Sequence, residues 1–339
     1  MKFNKILITG GAGYVGSYLI SEALKNKFKV RCIDLLIYGE ESLKNFHKNK
    51  NFEFYHGDIR NEKDLEKSLQ NVDCVIHLAS IVGDKPCQVA PNSAYQINYE
   101  GTIKLAELAK KKNIKKFIFA STCSNYGISD INSYATEETK LNPASFYAET
   151  KIDCEKFMED IADENFATIS LRFATAFGLS FRTRFDLTVN SFAYEAVTEN
   201  KLYVFAAETW RPYIHVADMA QIIINLIHSE KIVGGNKVFN AGFTKQNHTK
   251  KELLIMLKKI LPNLLIESIS NEDPRNYKVS FKKLENFLKV DPTISVKAGF
   301  NEIIKSLKSN KELHNEFRNN NLESITKLFA KKEKLLQNY

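Results

Sequence analysis

The sequence predicts an α/β fold with a doubly wound parallel sheet and a smaller C-terminal α/β lobe. Short β-branched apolar runs alternate with longer segments of helical period through the first half of the chain. The length of 339 residues exceeds one minimal domain, and 44% hydrophobic with 26% charged residues is typical of a globular protein. We expect domains at 1–175 and 176–309, the second interleaved with the last strands of the sheet, and a helical extension at 310–339.

The elements of the first half follow from this alternation. Apolar runs of four to eight residues predict strands, and longer amphipathic segments predict helices. The predicted strands are 5–9, 29–33, 52–56, 74–78, 116–120 and 167–171, and the predicted helices are 14–25, 62–69, 94–111 and 147–162.

Beyond residue 173 the alternation is less regular, and helices are predicted at 187–199, 216–228, 250–260 and 296–307. The final stretch is rich in lysine, yet five apolar residues fall near one face of a helix. We expect this helix to dock on its own domain or to form an oligomer contact. The five residues are Ile325, Leu328, Phe329, Leu335 and Leu336.

Composition narrows the class of protein. No apolar run approaches the roughly 18 to 20 residues of a spanning helix, and the N-terminus lacks signal-peptide features, so we expect a cytoplasmic protein with no membrane partner. A charge of +8 fits an anionic partner such as a nucleotide diphosphate, or simply a lysine-rich composition, and no nucleic-acid-binding module is present.

The cysteines are odd in number and lack disulfide or zinc spacing, which predicts reduced thiols and no metal site. They are Cys32, Cys74, Cys87, Cys123 and Cys154.

A glycine-rich turn follows the first predicted strand and opens the first predicted helix. Its glycines are Gly10, Gly13 and Gly16, with Tyr14 and Val15 at the helix start. Glycine permits a tight turn and lets the backbone approach a pyrophosphate, which the helix N-terminus then binds. Between a strand and a helix, this pattern predicts a dinucleotide site.

An acidic residue, Asp34, ends the second predicted strand, eighteen residues after Gly16. A carboxylate there accepts hydrogen bonds from the adenosine ribose hydroxyls and repels the 2′-phosphate of NADP. The sequence therefore favours NAD, although an acidic residue at this point could also simply cap a loop.

A polar segment that includes Ser121 and Thr122 follows the fifth predicted strand, and Tyr147 and Lys151 begin the next helix. Residues four apart leave a helix from one face. A phenol has a pKa near 10 and is a poor base at neutral pH, but a neighbouring ammonium favours the phenolate. We therefore predict Thr122, Tyr147 and Lys151 as the catalytic residues.

Together these segments resemble the extended short-chain dehydrogenase/reductase superfamily, in its NAD-dependent epimerase/dehydratase branch. Residues 171–178 and 210–219 resemble further motifs of that branch, so the resemblance covers roughly residues 3 to 308. It implies a Rossmann sheet and NAD. It also implies further cofactor contacts at Asp58, Ile59, Leu78, Ala79, Ser80 and Asn98, and a contact of Lys151 with the nicotinamide ribose.

The resemblance also implies the chemistry. Tyr147 would remove the proton from a sugar hydroxyl, usually at C4, while hydride passes to NAD and Thr122 hydrogen-bonds the reacting oxygen. The product would be a 4-keto nucleotide sugar. A non-catalytic NAD-binding regulator on the same fold is the alternative.

The two residues after Thr122 bear on the fate of the 4-keto sugar. Members that are 4,6-dehydratases carry Asp-Glu there, whereas this chain has Cys123 and Ser124. Related 3,5-epimerases use a cysteine near this place, but a small buried side chain is the preferred interpretation of Cys123. Plain oxidation at C4 and C4 epimerisation remain open.

Residues 181–190, together with 78–83 and Cys87, resemble GDP-heptose C4 dehydrogenases of bacterial surface-polysaccharide pathways. A guanidinium binds phosphate oxygens in bidentate fashion, although each arginine could equally form a surface salt bridge. We expect a homodimer or higher homo-oligomer, paired through helices 94–111 and 147–162. The predicted contacts to the nucleotide-diphosphate sugar are Val82, Cys123, Ser124, Arg182, Arg184, Asn190 and Arg211.

Overall fold

A computed structural model describes residues 3–127, 130–269, 275–310 and 319–330. The strands are β1 (Lys5–Thr9), β2 (Lys29–Asp34), β3 (Phe52–His56), β4 (Cys74–His77), β5 (Lys116–Thr122), β6 (Ala167–Phe173), β7 (Thr175–Phe177), β8 (Lys201–Val204), β9 (Trp210–His215), β10 (Asn236–Ala241), β11 (Asn247–Thr249) and β12 (Leu265–Ser268). The α-helices are α1 (Tyr14–Lys25), α2 (Glu62–Ser68), α3 (Asp84–Val89), α4 (Pro91–Tyr95), α5 (Gly101–Lys111), α6 (Phe146–Ile161), α7 (Thr188–Thr198), α8 (Val216–His228), α9 (Lys250–Ile260), α10 (Lys282–Leu288), α11 (Val296–Ser309) and α12 (Asn321–Ala330).

The main sheet has seven strands in the order β10-β6-β5-β4-β1-β2-β3. Every neighbouring pair in it is parallel. The direction of winding reverses between β1 and β4, which opens a crevice at the carboxyl ends of these strands. The predicted doubly wound α/β fold is confirmed, and the crevice is where such folds bind ligands.

Alternation of side chains along the strands builds two cores, one on each face of the sheet. Ile6 and Ile8 of β1 pack into one core with residues of α1 and α8, whereas Leu7 packs into the other with residues of α5 and α6. Full burial of each such side chain contributes roughly 1.5 to 3 kcal/mol. Because both faces are covered, the strands are almost continuously apolar.

The second lobe has its own core, formed largely by α7, α9 and α11. Two small sheets, β11-β9-β7 and β12-β8, complete it. The chain then crosses back, because α8 packs on α1 and β10 joins the edge of the main sheet beside β6. The two halves are thus interleaved along the sequence.

One predicted helix, 94–111, is divided in the structure. It consists of the end of α4, a π-helical turn at Gln96–Glu100, and α5. The turn contains Asn98, whose buried side chain bonds to the loop after β4. A π-turn inserts an extra residue into the helix and so changes which side chains face inward. Periodicity along the chain does not reveal such an insertion.

The five cysteines are free and buried. Across the described ranges, no helix is both long and apolar enough to cross a membrane.

The C-terminal helix α12 docks on the main domain. It contacts α3, and Ile325 is fully buried in the core on that face of the sheet, with Leu328 packed against the same core. Docking on its own domain was one of the two predicted arrangements. Leu335 and Leu336 lie outside the described residues, as does the side chain of Phe329.

Candidate active site

A cavity of about 320 Å³ lies at the carboxyl ends of the parallel strands. Its wall contains residues from the ends of β2 and β5, from the turns after β1, β3 and β4, and from α6 and the second lobe. This volume is within the range of small-molecule sites in proteins, about 300 to 1,000 Å³. Most of the predicted site residues line this one cavity.

The glycine turn forms one wall of the cavity. Gly10 has a φ of +71°, and a Cβ there would lie 2.7 Å from the backbone nitrogen of Ala79. A Cβ on Gly16 would overlap the backbone of Gly10, whereas one on Gly13 would meet only the Gly10 oxygen, at 3.1 Å. Gly10 and Gly16 therefore permit the tight turn. Because Gly13 has no side chain, a ligand in the cavity can approach the backbone of the turn. The turn fits a dinucleotide diphosphate.

Asp34 lines the cavity at the end of β2. One carboxylate oxygen accepts a hydrogen bond from the Ala12 amide at 2.9 Å and the other from the Leu36 amide at 2.8 Å. Burial raises the pKa of Asp34, and these two amides partly offset that rise. A carboxylate has about four acceptor positions, so two remain for ribose hydroxyls.

The other predicted cofactor residues divide into two groups. Asp58 lines the cavity, but its carboxylate is also held by Arg60 in a buried ion pair at 2.5 Å. Asn98 is not among the residues of the cavity wall, and its predicted contact with the cofactor stays a prediction. Its amide instead bonds to Ile81 and Ser80 and fixes the loop after β4. The remaining predicted residues, Tyr14, Val15, Ile59, Leu78, Ala79 and Ser80, line the cavity.

The three predicted catalytic residues meet in the same cavity. Thr122 is the last residue of β5, and Tyr147 and Lys151 stand one turn apart on α6, whose start is capped by Ser145. The Lys151 Nζ lies 5.8 Å from the centre of the Tyr147 ring and 4.7 Å from that of Phe119. A strand end and a helix thus bring together residues that are 25 positions or more apart in the sequence.

Burial dominates the electrostatics of this group. It raises the pKa of Tyr147 well above its ordinary value, and the charge of Arg184 lowers it in part. Burial also lowers the pKa of Lys151 to about 8. The charge of Arg184 thus favours the phenolate, and the same role predicted for Lys151 stays a prediction.

A buried ionic network supports the end of β5. The Glu155 carboxylate pairs with Arg172 at 2.6 Å and also accepts hydrogen bonds from Ser121 and Asn125. Glu155 is 5% exposed and lies on α6, one turn beyond Lys151. Breaking a buried pair costs about 3 to 5 kcal/mol, so the network fixes β5 relative to α6. No local pattern in the sequence reveals this network.

Cys123 lies outside the cavity wall, and its predicted contact with the substrate stays a prediction. Its thiol donates to the carbonyl of Arg172, with a sulfur–oxygen distance of 3.0 Å, and burial raises its pKa well above the ordinary value. A buried, protonated thiol cannot remove a substrate proton. Its neighbour Ser124 lines the cavity, as does Val82.

Of the four residues predicted on the substrate side of the 181–211 region, two line the cavity. Arg184 lies there in an ion pair with Asp186 at 2.7 Å. Arg182 also lies there, with its guanidinium 3.8 Å from the centre of the Tyr38 ring and its charge acting on Asp34. Arg182 therefore lies near the end of β2, and its predicted contact with the substrate stays a prediction.

The substrate contacts predicted for Asn190 and Arg211 stay predictions. Asn190 is fully buried and bonds to the backbone of Gly178 and Arg184, so it shapes their loop. The Arg211 guanidinium lies 4.9 Å from the centre of the ring of Tyr277, a residue of the cavity wall. Both are polar residues whose side chains make tertiary contacts that the sequence does not show.

Several cavity residues were not predicted from the sequence. They come from loops and from the C-terminal segment, far along the chain from the recognised motifs, and no spacing pattern marks them. Arg275 is paired with Asp84 across the cavity at 3.1 Å. The unpredicted residues include Tyr38, Asp84, Arg275, Tyr277 and Asn321.

Comparison with known proteins agrees with this geometry. An uncharacterized UDP-glucose epimerase of Bacillus subtilis (strain 168) is 28% identical over 321 residues, which is 90% of this chain and 98% of that protein. A UDP-glucose 4-epimerase of Dictyostelium discoideum is 29% identical over 76% of this chain and 81% of its own length.

The solved structure of a UDP-glucuronic acid 4-epimerase from Bacillus cereus, in complex with UDP-glucuronic acid and NAD, has a TM-score of 0.81 and 26% identity. It covers 90% of this chain and 99% of that one. A dTDP-glucose 4,6-dehydratase from Streptomyces venezuelae, with NAD bound, shares the fold at a TM-score of 0.82, with 20% identity over 92% and 99% of the two chains.

Residues 6–242 match the NAD dependent epimerase/dehydratase family. This match spans the glycine turn, Asp34 and the three predicted catalytic residues, and it agrees with the geometry of the cavity. The chain belongs to this family, and it is an enzyme whose cofactor is NAD.

Proposed function

We propose that this enzyme oxidises the C4 hydroxyl of a nucleoside diphosphate sugar to a 4-keto sugar, with Tyr147 as the base. The observation that carries the proposal is the single cavity. It joins Thr122, Tyr147 and Lys151 to the glycine turn and to Asp34 without an intervening wall. A non-catalytic regulator would need the turn and Asp34 but not the other three residues.

The roles follow from position. Tyr147 takes the proton of the sugar hydroxyl, and Thr122 at the end of β5 hydrogen-bonds the same oxygen. Lys151 is largely protonated at neutral pH despite its lowered pKa of about 8, so its ammonium holds the nicotinamide ribose and counters the forming phenolate. The glycine turn and Lys151 would hold NAD, which would supply the acceptor for the C4 hydride. Burial excludes water, which strengthens each of these charge interactions.

The substrate side of the cavity supports a diphosphate ligand. Arg184 and Arg275 both line it, and Tyr277 presents an aromatic ring beside them. Guanidinium groups bind phosphate oxygens in bidentate fashion, and a ring can stack on a nucleobase. A GDP-linked heptose or hexose as the substrate stays a prediction, because the similar proteins act on UDP- and dTDP-linked sugars according to their names.

C4 epimerisation is the second candidate function. The observation that favours it is that the similar proteins of Dictyostelium discoideum and Bacillus cereus are both 4-epimerases. In that reaction the same residues act twice, first removing the proton and then returning it after the 4-keto sugar has turned its other face. A 3,5-epimerase that uses Cys123 is not proposed, because the thiol lies outside the cavity.

A 4,6-dehydratase is also disfavoured. Cys123 and Ser124 occupy the two positions where an acid and a base are needed. The thiol of Cys123 donates to the Arg172 carbonyl, and the serine hydroxyl has a much higher pKa than a carboxylic acid.

To test the proposal, the enzyme is incubated with NAD and a panel of GDP-, UDP-, CDP- and dTDP-linked hexoses and heptoses. NADH is followed by absorbance, and the sugar products are followed by chromatography. Net oxidation accumulates NADH with one substrate, whereas epimerisation gives a new sugar without net NADH. Tyr147→Phe should abolish either outcome, and Tyr95→Phe, which alters an exposed tyrosine, should abolish neither.

A homodimer and a cytoplasmic location remain predictions. The surface that includes α4 and the start of α6 exposes Tyr95 and Phe146, at 43% and 36%. Exposed aromatic residues are favoured at interfaces, which supports pairing through these helices.

A further inference from the structure

The C-terminal segment reaches into the cavity through Asn321, the first residue of α12. Asn321 is 2% exposed. Its side-chain oxygen accepts a hydrogen bond from Arg182 Nη2 at 2.8 Å, and its amide nitrogen donates to the Val82 carbonyl at 3.4 Å. Close by, the Asn319 carbonyl accepts from the amide of Phe185 at 2.8 Å.

These bonds connect two loops that border the cavity. Arg182 and Phe185 belong to the loop between β7 and α7, and Val82 belongs to the loop between β4 and α3. The segment is anchored independently of both loops, because Ile325 is fully buried in the core beside α3. It therefore ties the second lobe to the main domain over the cavity.

The cavity residue that this segment holds most directly is Arg182. Its guanidinium stacks 3.8 Å over the ring of Tyr38, which follows the end of β2 and Asp34 in the sequence. The Tyr38 hydroxyl is buried and has no hydrogen-bond partner among the described residues. Although that oxygen is buried, Tyr38 and Arg182 both line the cavity, so the stacked pair forms part of its wall. The nearby Asp34 identifies the ligand part as the adenosine half of the cofactor.

We propose that Asn321 is a positioning residue of the cofactor site, which holds Arg182 over Tyr38 and slows the departure of NAD and NADH. The proposal rests on the assignment of the Asp34 side of the cavity to adenosine, which is part of the proposed function. It bears on the reaction, because a slowly leaving NADH remains available to return its hydride. The C-terminal segment would thus shift the balance between net oxidation and epimerisation.

The release rate of NADH tests this directly and requires no sugar substrate. Full-length enzyme loaded with NADH is mixed with excess NAD, and the loss of NADH fluorescence gives the dissociation rate. Asn321→Ala should release NADH on the order of tenfold faster, because a hydrogen bond to a charged group is lost. Lys327→Ala is the matched control, since this lysine is on the same helix, is half exposed and pairs with Glu323.

A double-mutant cycle separates positioning from a merely structural role. If Asn321 acts through Arg182, then Asn321→Ala adds little to the effect of Arg182→Ala, so the double variant releases NADH at nearly the rate of Arg182→Ala alone. The proposal would be overturned if the two substitutions multiplied their effects on the NADH release rate, or if Asn321→Ala released NADH no faster than Lys327→Ala. Either result would leave the proposed C4 oxidation unaffected. Failure of the unchanged protein to bind NADH would overturn the proposed function and this inference with it.

Discussion

The two ends of the cavity are built in different ways. At the reaction end, Thr122, Tyr147 and Lys151 stand on β5 and α6, which pack against each other inside the main domain. At the other end, which we propose to bind adenosine and call the adenosine end, Tyr38, Arg182 and Asn321 come from two loops and the segment 319–330. Groups that must hold a reacting atom need rigid elements, whereas groups that admit and retain a ligand can lie on parts that move.

The largest effect should come from the reaction end. Tyr147→Phe removes the base, and we expect kcat to fall about 10³-fold, within the range of general-base catalysis. NAD affinity should change less than about threefold, because the ring remains in place. Steady-state kinetics and a binding titration measure the two quantities. A large loss of NAD affinity would show that the two ends are not separable.

The turn that joins the two ends is sensitive to any added side chain. Gly10→Ala should destabilise the protein by more than about 3 kcal/mol, because the new Cβ meets the backbone of Ala79. Gly235→Ala is the matched control, since Gly235 has the same φ of +71° and a Cβ there would have no atom of the described residues within 4 Å. It should cost only the roughly 1 to 2 kcal/mol of a left-handed conformation. Urea unfolding measures the free energy of unfolding of both variants. If both lost the same stability, the contact of the new Cβ with Ala79 could not be the cause.

The buried ammonium of Lys151 should lower the free energy of unfolding of the protein. Its pKa is about 8 in the folded protein and 10.5 ordinarily, which corresponds to roughly 3 kcal/mol against folding when both states are charged. Lys151→Met should therefore abolish activity and yet raise the free energy of unfolding at pH 7.

The lowered pKa of Lys151 also predicts how the free energy of unfolding changes with pH. Between pH 8 and 10.5 the unfolded chain binds more protons at Lys151 than the folded chain, so the stability of the unchanged protein rises with pH. The advantage of the methionine variant should be full below pH 8 and disappear above 10.5. Urea unfolding at a series of pH values measures it, and an advantage that is constant with pH would contradict the buried-charge explanation.

The smallest effect should come from the adenosine end. Asp34→Asn removes the charge that repels a 2′-phosphate, and we expect the preference for NAD over NADP to fall on the order of tenfold. Asp84→Asn makes the same charge change elsewhere in the cavity and should leave the ratio unaltered. Binding titrations with NAD and NADP measure the ratio of the two affinities in each variant. If the ratio fell equally in Asp34→Asn and Asp84→Asn, the net charge of the cavity, and not the position of Asp34, would explain the preference.

The sequence by itself determined the parallel sheet, and it predicted that the glycine turn, Asp34, Thr122, Tyr147 and Lys151 belong to one site, where the structure places them in one cavity. These features depend on local patterns, because strand and helix periods, a turn that only glycine permits, and an i, i+4 pair are all written within a few residues.

Tertiary structure alone decided which polar side chains reach the cavity. Cys123 and Asn190 have suitable chemistry, but packing turns each toward a backbone group, and the Arg211 guanidinium packs on the ring of Tyr277. Arg275 and Asn321 reach the cavity from the far end of the chain because the second lobe and α12 fold back over the main domain. Such contacts join residues with large sequence separation, and no local period encodes them.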